Sequence, residues 1–427
     1  MNSMKRIVVT PSLKSTAVLM LWILGLLLVS CQDLEFPDPN GPSLAETTVQ
    51  TLVTGIESGM RVDYEFYLRS VSVIGREAYY LEPADPRYTG ELLGKNGSDL
   101  DPSGFLLVRS YGSRYRVVRN CNYLIAKGDV GASGFAKTIM AYQFLLNLDM
   151  TDSNGIRIDV SGSLPGPFVT KAEGLAEIVR LLDEGFSDLN APGSTFAFTL
   201  SDGFAGFNTP SDFATFNRAL KARVSVYRGD YTDALAALGL SFLDPSGPLE
   251  TGVYHVYGTG LSDVTNPVYE NPTATSIKLF AHPTFTGEAE AGDRRVAAKT
   301  FVRSDTTTLD FLSSNVAQTL VSSDIASFPV MRNEELLLLR AEANIGLGNI
   351  GTAEADINIV RVAAGLPGIS LNSGNALDEL LKQKRYSLFL EGHRWIDLRR
   401  YGRLDTLPLD RTGDKVHARF PRPSTEI

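Results

Sequence analysis

Apolar residues recur at helical spacing along most of the chain. Val49, Leu52, Val53, Ile56 and Met60 mark a first helix. Ser43 with Glu46 three positions on forms a capping box in front of it. Tyr111, Tyr115, Val118, Asn122 and Ile125 mark a second stripe, and Phe135, Ile139, Tyr142 and Leu146 a third. Thr170 with Glu173 reads as another capping box, ahead of Leu175, Ile178, Leu182, Phe186 and Leu189. Each stripe is a core-facing surface, so the pattern predicts an all-α fold.

Two segments share a pattern. Arg218–Leu238 aligns with Leu337–Ile357, pairing Ala222 with Ala341, Val226 with Ile345, Gly229 with Gly348 and Ala234 with Ala353. Small residues suit the close approach of two helices, and the Gly-Asp or Gly-Asn pair ends one helix before the next. This is the logic of tetratricopeptide-like helix pairs. Such pairs are expected around 105–150, 170–240 and 330–365. Between them lie loop-rich insertions at 79–105, 199–210 and 243–295, dense in Gly, Pro, Asp and Tyr. Alternation at Val253–Tyr257 and Thr300–Arg303 predicts short strands.

The tail reads FLEGHRWIDLRRYG, Phe389–Gly402. On one predicted helix over 376–402, apolar residues would cover nearly every side, so the helix would be buried. Buried charges need partners. Glu391–Arg394, Arg394–Asp397 and Asp397–Arg400 are each three apart, the reach of a helical pair. The stretch therefore reads as a structural ion-pair network of Glu391, Arg394, Asp397 and Arg400. A metal shared by His393 and Asp397 is the weaker reading, because His255, His282 and His417 stand at no ligand spacing.

The start is not fold. Lys5, Arg6 and Lys14 precede an apolar run, Ala17–Val29, of signal-peptide length and too short to span a bilayer. The run ends in LVSC, a lipobox pattern. Residues 1–30 are expected to be a lipoprotein signal peptide, with Cys31 carrying the lipid and 31–42 serving as a flexible tether. Residues 43–427 then form one folded domain. Without the first 30 residues, 37 basic residues face 49 acidic ones. That balance argues against nucleic acid. Cys121 has only the lipidated Cys31 beside it, so no internal disulfide or cysteine metal site is expected.

Catalytic motifs are missing. There is no G-x-S-x-G and no H-E-x-x-H. Gly90–Ser98 fails as a P-loop by glycine spacing and by Asn96 in the Ser/Thr place. Asp152–Gly155 opens like a calcium loop but lacks the remaining ligands. No catalytic residue, metal or cofactor is expected.

Glu391–Gly402, with Asn358–Pro367 and Glu334–Asn349, resembles the C-terminal signature of the SusD/RagB family of surface lipoproteins. The helices at Ser43–Val53, Ala136–Leu148 and Ala219–Leu235 match further family elements in order. Gln383 and Ser387 depart from the family's glutamates, and Ala363 from its arginine. The resemblance implies a ligand-binding lipoprotein on the outer face of the outer membrane. It would capture a glycan or peptide and pass it to a SusC-like TonB-dependent transporter. A surface glycan- or peptide-processing enzyme, or a ligand-free structural lid, is the alternative.

Sugar and peptide sites combine aromatic faces with a few polar groups. Tyr79, Tyr80, Asp85, Arg87, Tyr88 and Asn96 concentrate in one loop and are the candidate ligand-binding set. Tyr254, Tyr257 and Tyr269 form a second group.

Overall fold

The helical stripes fold as their spacing requires. In the computed structural model, residues 47–160, 162, 165–261 and 263–426 are described. The expected signal peptide, Cys31, the tether and the Ser43/Glu46 capping box lie outside them. Residues 48–427 cluster as one compact unit.

Thr48, accepting from the Thr51 N–H, caps α1 (Val49–Arg61), whose Leu52, Val53, Ile56 and Met60 are buried. α2 (Tyr64–Ile74) follows at once. β1 (Ala78–Tyr80) opens the first insertion. Then come α3 (Phe105–Ile125) and α4 (Val130–Thr151), packed side by side. α4 is buried nearly all round, so Gln143 and Asn147 need internal partners. Gln143 accepts from Arg114 at 2.9 Å, and Asn147 donates to the Tyr111 carbonyl at 3.3 Å.

A small hairpin joins β2 (Ile156–Arg157) to β3 (Phe168–Val169). α5 (Lys171–Leu189) begins with the expected Thr170/Glu173 capping box, both of its reciprocal bonds present. α6 (Pro210–Arg228) ends on Gly229 in the left-handed region, and α7 (Tyr231–Leu238) turns back against it.

The third insertion, 243–295, carries β4 (Gly252–His255), β5 (Leu279–Ala281) and α8 (Pro283–Gly287), and α9 (Arg294–Lys299), β6 (Thr300–Leu309), β7 (Leu312–Gln318) and β8 (Phe328–Arg332) follow at and beyond its end. The two strands expected from alternation exist, and Thr300–Arg303 is the start of a longer one. An antiparallel sheet runs β1-β5-β7-β6, and β4 pairs separately with β8.

α10 (Asn333–Gly346) and α11 (Ile350–Ala363) form the second copy of the repeated pattern. Ala222, Ala234, Ala341 and Ala353 are all fully buried. The copies are 119 residues apart in sequence yet adjacent in space, because α10 packs on α6 and α7. At that contact, a Cβ on Gly346 would lie 2.1 Å from the Tyr231 ring.

The tail is two helices, not one. α12 (Ala376–Ser387) stops, and α13 (Arg394–Arg400) starts after a tight turn. Leu390 (φ 63) and Gly392 (φ 85) take the left-handed region that a continuing helix forbids. Gly392 also sits 3.0 Å, at its virtual Cβ, from the Tyr67 ring.

Candidate functional site

The charged tail is a clamp between helices. Glu342 of α10 and Asp397 of α13 are 0% and 2% exposed. Lys384 Nζ lies 2.9 Å from Glu342 and 2.7 Å from Asp397. Arg400 Nη2 lies 2.6 Å from each of the same carboxylates. The Tyr401 hydroxyl donates to Glu342 at 2.8 Å. Two anions and two cations thus close a square joining α10, α12 and α13. Burial alone would raise the two carboxyls. The charges of Arg400 and Lys384 overcome this and hold both below their ordinary range.

Of the expected pairs, only Asp397–Arg400 forms. Glu391 accepts from Arg332 at 2.6 Å instead, and Arg394 donates through Nε to the Gly75 carbonyl at 3.1 Å. The break at Leu388–His393 takes Glu391 off the helix that carries Arg394, whereas Asp397, on that same helix, is claimed by Lys384 and Arg400. His393, beside them, is pushed down to about 4 by burial, so it is neutral near pH 7. Glu391 lines a cleft of about 370 Å³, but Arg332 occupies its carboxylate. Asp397 is sealed in the core. Among the described residues, no group of three or more His, Cys, Asp or Glu could hold a metal.

The expected ligand loop is rigidly fastened. Arg76, fully buried, donates to the carbonyls of Ile74, Leu93, Pro408 and Lys415 and lies 3.4 Å from Asp410. It thereby ties the loop to the chain's last segment. The three tyrosines of the loop were expected to line a pocket, and the structure packs their rings inside. Tyr79 donates to Asp410 at 2.7 Å and sits against His282. Tyr80 and Tyr88 contact each other at 4.4 Å between ring centres, with the Arg69 guanidinium over Tyr80. Core packing on the aromatic neighbour Phe105 claims these faces. Asp85 and Arg87 pair at 3.1 Å at the surface, and Asn96, with φ 52, is exposed.

The structure brings a residue beside this loop that the pattern did not single out. β6 and β7 are joined by two residues, Asp310 (φ 53) and Phe311 (φ 64). A two-residue hairpin turn with both φ positive favours Asn-Gly or Asp-Gly. Here phenylalanine takes the glycine place, at a cost on the order of 1 kcal/mol. Its ring is 88% exposed. Asp310 binds Lys95 on one side and Arg411, at 2.6 Å, on the other. Arg411 in turn donates to the Thr89 carbonyl. The hairpin tip is therefore bolted to the 79–105 loop next to Asn96, presenting one strained, bare aromatic ring. Strain of this kind concentrates at functional sites.

A second region surrounds Tyr254 of β4. Clefts of about 440, 370 and 550 Å³ all have it in their walls. Glu57, in the first, accepts the Ser201 N–H, and burial raises its carboxyl to about 7. Arg61 there pairs with Asp263 at 2.6 Å. Tyr257 is buried beneath Arg61, and Tyr269 is half-buried elsewhere on the insertion.

Residues 310–423 match the model of the SusD family. No curated protein sequence matches the chain. Among solved structures, a SusD superfamily protein from Bacteroides vulgatus superposes with a TM-score of 0.66 at 14% identity, over 90% of this chain and 96% of that one. Surface glycan-binding protein A from Bacteroides thetaiotaomicron, solved with laminarihexaose, gives 0.65 at 14% identity, over 88% and 96%. A laminarin-binding SusD-like protein gives 0.61 at 18% identity, over 88% and 96%. At these identities the likeness is one of fold. The family match thus falls on the tail whose charges close the helix clamp, and the whole architecture is similar in fold to SusD-like structures.

Proposed function

We propose that the protein is a surface lipoprotein that binds an oligosaccharide and delivers it, chemically unchanged, to a SusC-like TonB-dependent transporter in the outer membrane. The observation that carries the binding half is Phe311. An apolar ring on a rigid, strained turn, with polar groups beside it, suits the face of a sugar ring. Asn96, Arg87 and Asp85 are proposed to contact the ligand around it, while Tyr79, Tyr80 and Tyr88 hold the loop from below. Glycan-binding neighbours in fold, with laminarin and laminarihexaose as their ligands, favour sugar over peptide.

The anchor rests on the lipobox at Cys31. Among the described residues, no helix is long and apolar enough to cross a membrane. A lipid on Cys31 would supply the attachment. Glu342 and Asp397 are each held by Lys384 and Arg400 and so belong to the scaffold.

The test is affinity electrophoresis of the mature, unlipidated chain through gels containing laminarin and a panel of other polysaccharides. Retardation by at least one glycan, abolished in Phe311→Ala, supports the reading. The groove around Tyr254 is the second reading, favoured by its volume. Retardation lost in Tyr254→Ala but kept in Phe311→Ala would select it.

A further inference from the structure

Arg394 is the one member of the tail motif left without an acid. The carboxylates expected to neutralise it are engaged elsewhere, Glu391 by Arg332 and Asp397 by Lys384 and Arg400. No carboxylate of the described residues lies within 4.0 Å of it. Beyond the Nε bond to Gly75, its terminal nitrogens have no acceptor among those residues, and neither is sealed from solvent. Glu77, the nearest acid in effect, is fully buried and bonds the Leu390 N–H instead.

Arg394 opens onto a cleft of about 280 Å³ between α12, α13 and the segment after α8. The cleft wall carries Lys382, Arg385, Arg394 and Arg403 against two acids, Glu288 and Asp378. Both acids sit at the rim, with side chains 58% and 63% exposed, whereas Arg385 is 6% exposed. Glu288 is paired with Arg385, and Asp378 with Arg403. The Arg385 Nε is buried with no partner. Thus Arg385 lies in the floor, while Lys382, paired with Glu290, and Arg403 stand at the edge with the acids. Arg394 is the one cation of this wall without a carboxylate partner among the described residues. Burial first, and the like charge of Arg385 second, push Arg394 down to about 10.

We propose that this cleft binds one oxyanion, a carboxylate or sulfate, between Arg394 and Arg385. Guanidinium groups match such planar or tetrahedral oxyanions with paired N–H donors. The volume lies below the ~300–1,000 Å³ of pockets for drug-sized ligands, so the cleft takes one charged group with at most one sugar ring. The site is independent of Phe311 and of the Tyr254 groove, so it stands or falls apart from the proposed function.

The experiment titrates the mature, unlipidated chain at low ionic strength with sodium glucuronate, using glucose as the neutral control. Binding is followed by ligand-observed NMR. Glucuronate should bind with a Kd on the order of 1 mM, and glucose should not bind. Arg394→Gln should weaken glucuronate at least tenfold. Because Arg394 also holds Gly75, a second variant is needed that leaves the scaffold alone. Glu288→Gln removes an exposed rim carboxylate that competes for Arg385, and it should tighten glucuronate about fivefold. Sulfate as competitor distinguishes the source. Displacement assigns the site to any small oxyanion, and failure to displace assigns it to a sugar-borne carboxylate. Equal signals for glucuronate and glucose, or unchanged affinity in Glu288→Gln, would overturn the proposal.

Discussion

Replacing Lys384 with methionine tests the clamp where its geometry is tightest. Met keeps the length of the lysine stem and removes only the charge. Glu342 and Asp397 would then share Arg400 as their sole cation, at 0% and 2% exposure. Removing one partner from a buried ionic group costs about 3–5 kcal/mol. At ~2.1 cal/mol/K of unfolding entropy per residue over about 380 residues, that loss lowers Tm by roughly 4–6 °C. The loss is pH-dependent with a definite sign. Both carboxyls titrate below their ordinary range in the folded protein. Their contribution is therefore present above the unfolded value near 4 and lost as pH falls through the folded values. The gap between wild type and variant should be full at pH 7 and shrink in acid. The assay is thermal unfolding by circular dichroism from pH 3 to 8. The double variant Lys384→Met/Asp397→Leu restores one anion to one cation and should recover half of the loss or more. A single-variant loss under 1 °C at pH 7, or a double variant as unstable as the sum of the singles, would refute the clamp.

Phe311→Gly relieves a left-handed phenylalanine and should raise stability by about 1 kcal/mol, while removing the ring proposed to meet the sugar. Calorimetry and affinity electrophoresis on one sample would show both effects or neither. Glu77 is buried and raised to about 7 from 4.5, so its ionisation penalty sets in above 4.5 and is complete above 7. Glu77→Gln should therefore gain on wild type by about 3 kcal/mol between pH 4.5 and pH 8, read from denaturant titrations at both. Gly346→Ala drives a methyl into the Tyr231 ring and should cost about 1–3 kcal/mol. Tyr231→Ala in the same chain should absorb that cost, which chemical denaturation would reveal.

Periodicity carried the scaffold because a helix buries one repeating face. The stripe on α1, the capping box of α5 and the repeat joining α6–α7 to α10–α11 are local signals, and all three were legible. The tail network was not local. Its helix clamp brings together residues up to 58 apart in sequence, Glu342 and Arg400, which no i, i+3 rule finds. Gly392 was the available warning that the helix would break. The burial of the loop's tyrosines was not legible for a different reason. Tyrosine count does not distinguish a ring that packs from one that is shown, and Tyr80, Tyr88 and Phe105 pack. Phe311 was missed because hairpin tips are recognised by glycine, and this one has none. Its exposure is visible only once β6 and β7 are paired.

The central claim is that a rigid helical frame displays an exterior aromatic site for an unreacted sugar. The most direct measurement is a crystal structure of the chain soaked with whichever glycan retards it in the affinity gel. The account predicts an intact saccharide with a ring stacked on Phe311 and hydroxyls reaching Asn96. A saccharide seated elsewhere with Phe311 bare, or one cleaved beside Glu391, would contradict it.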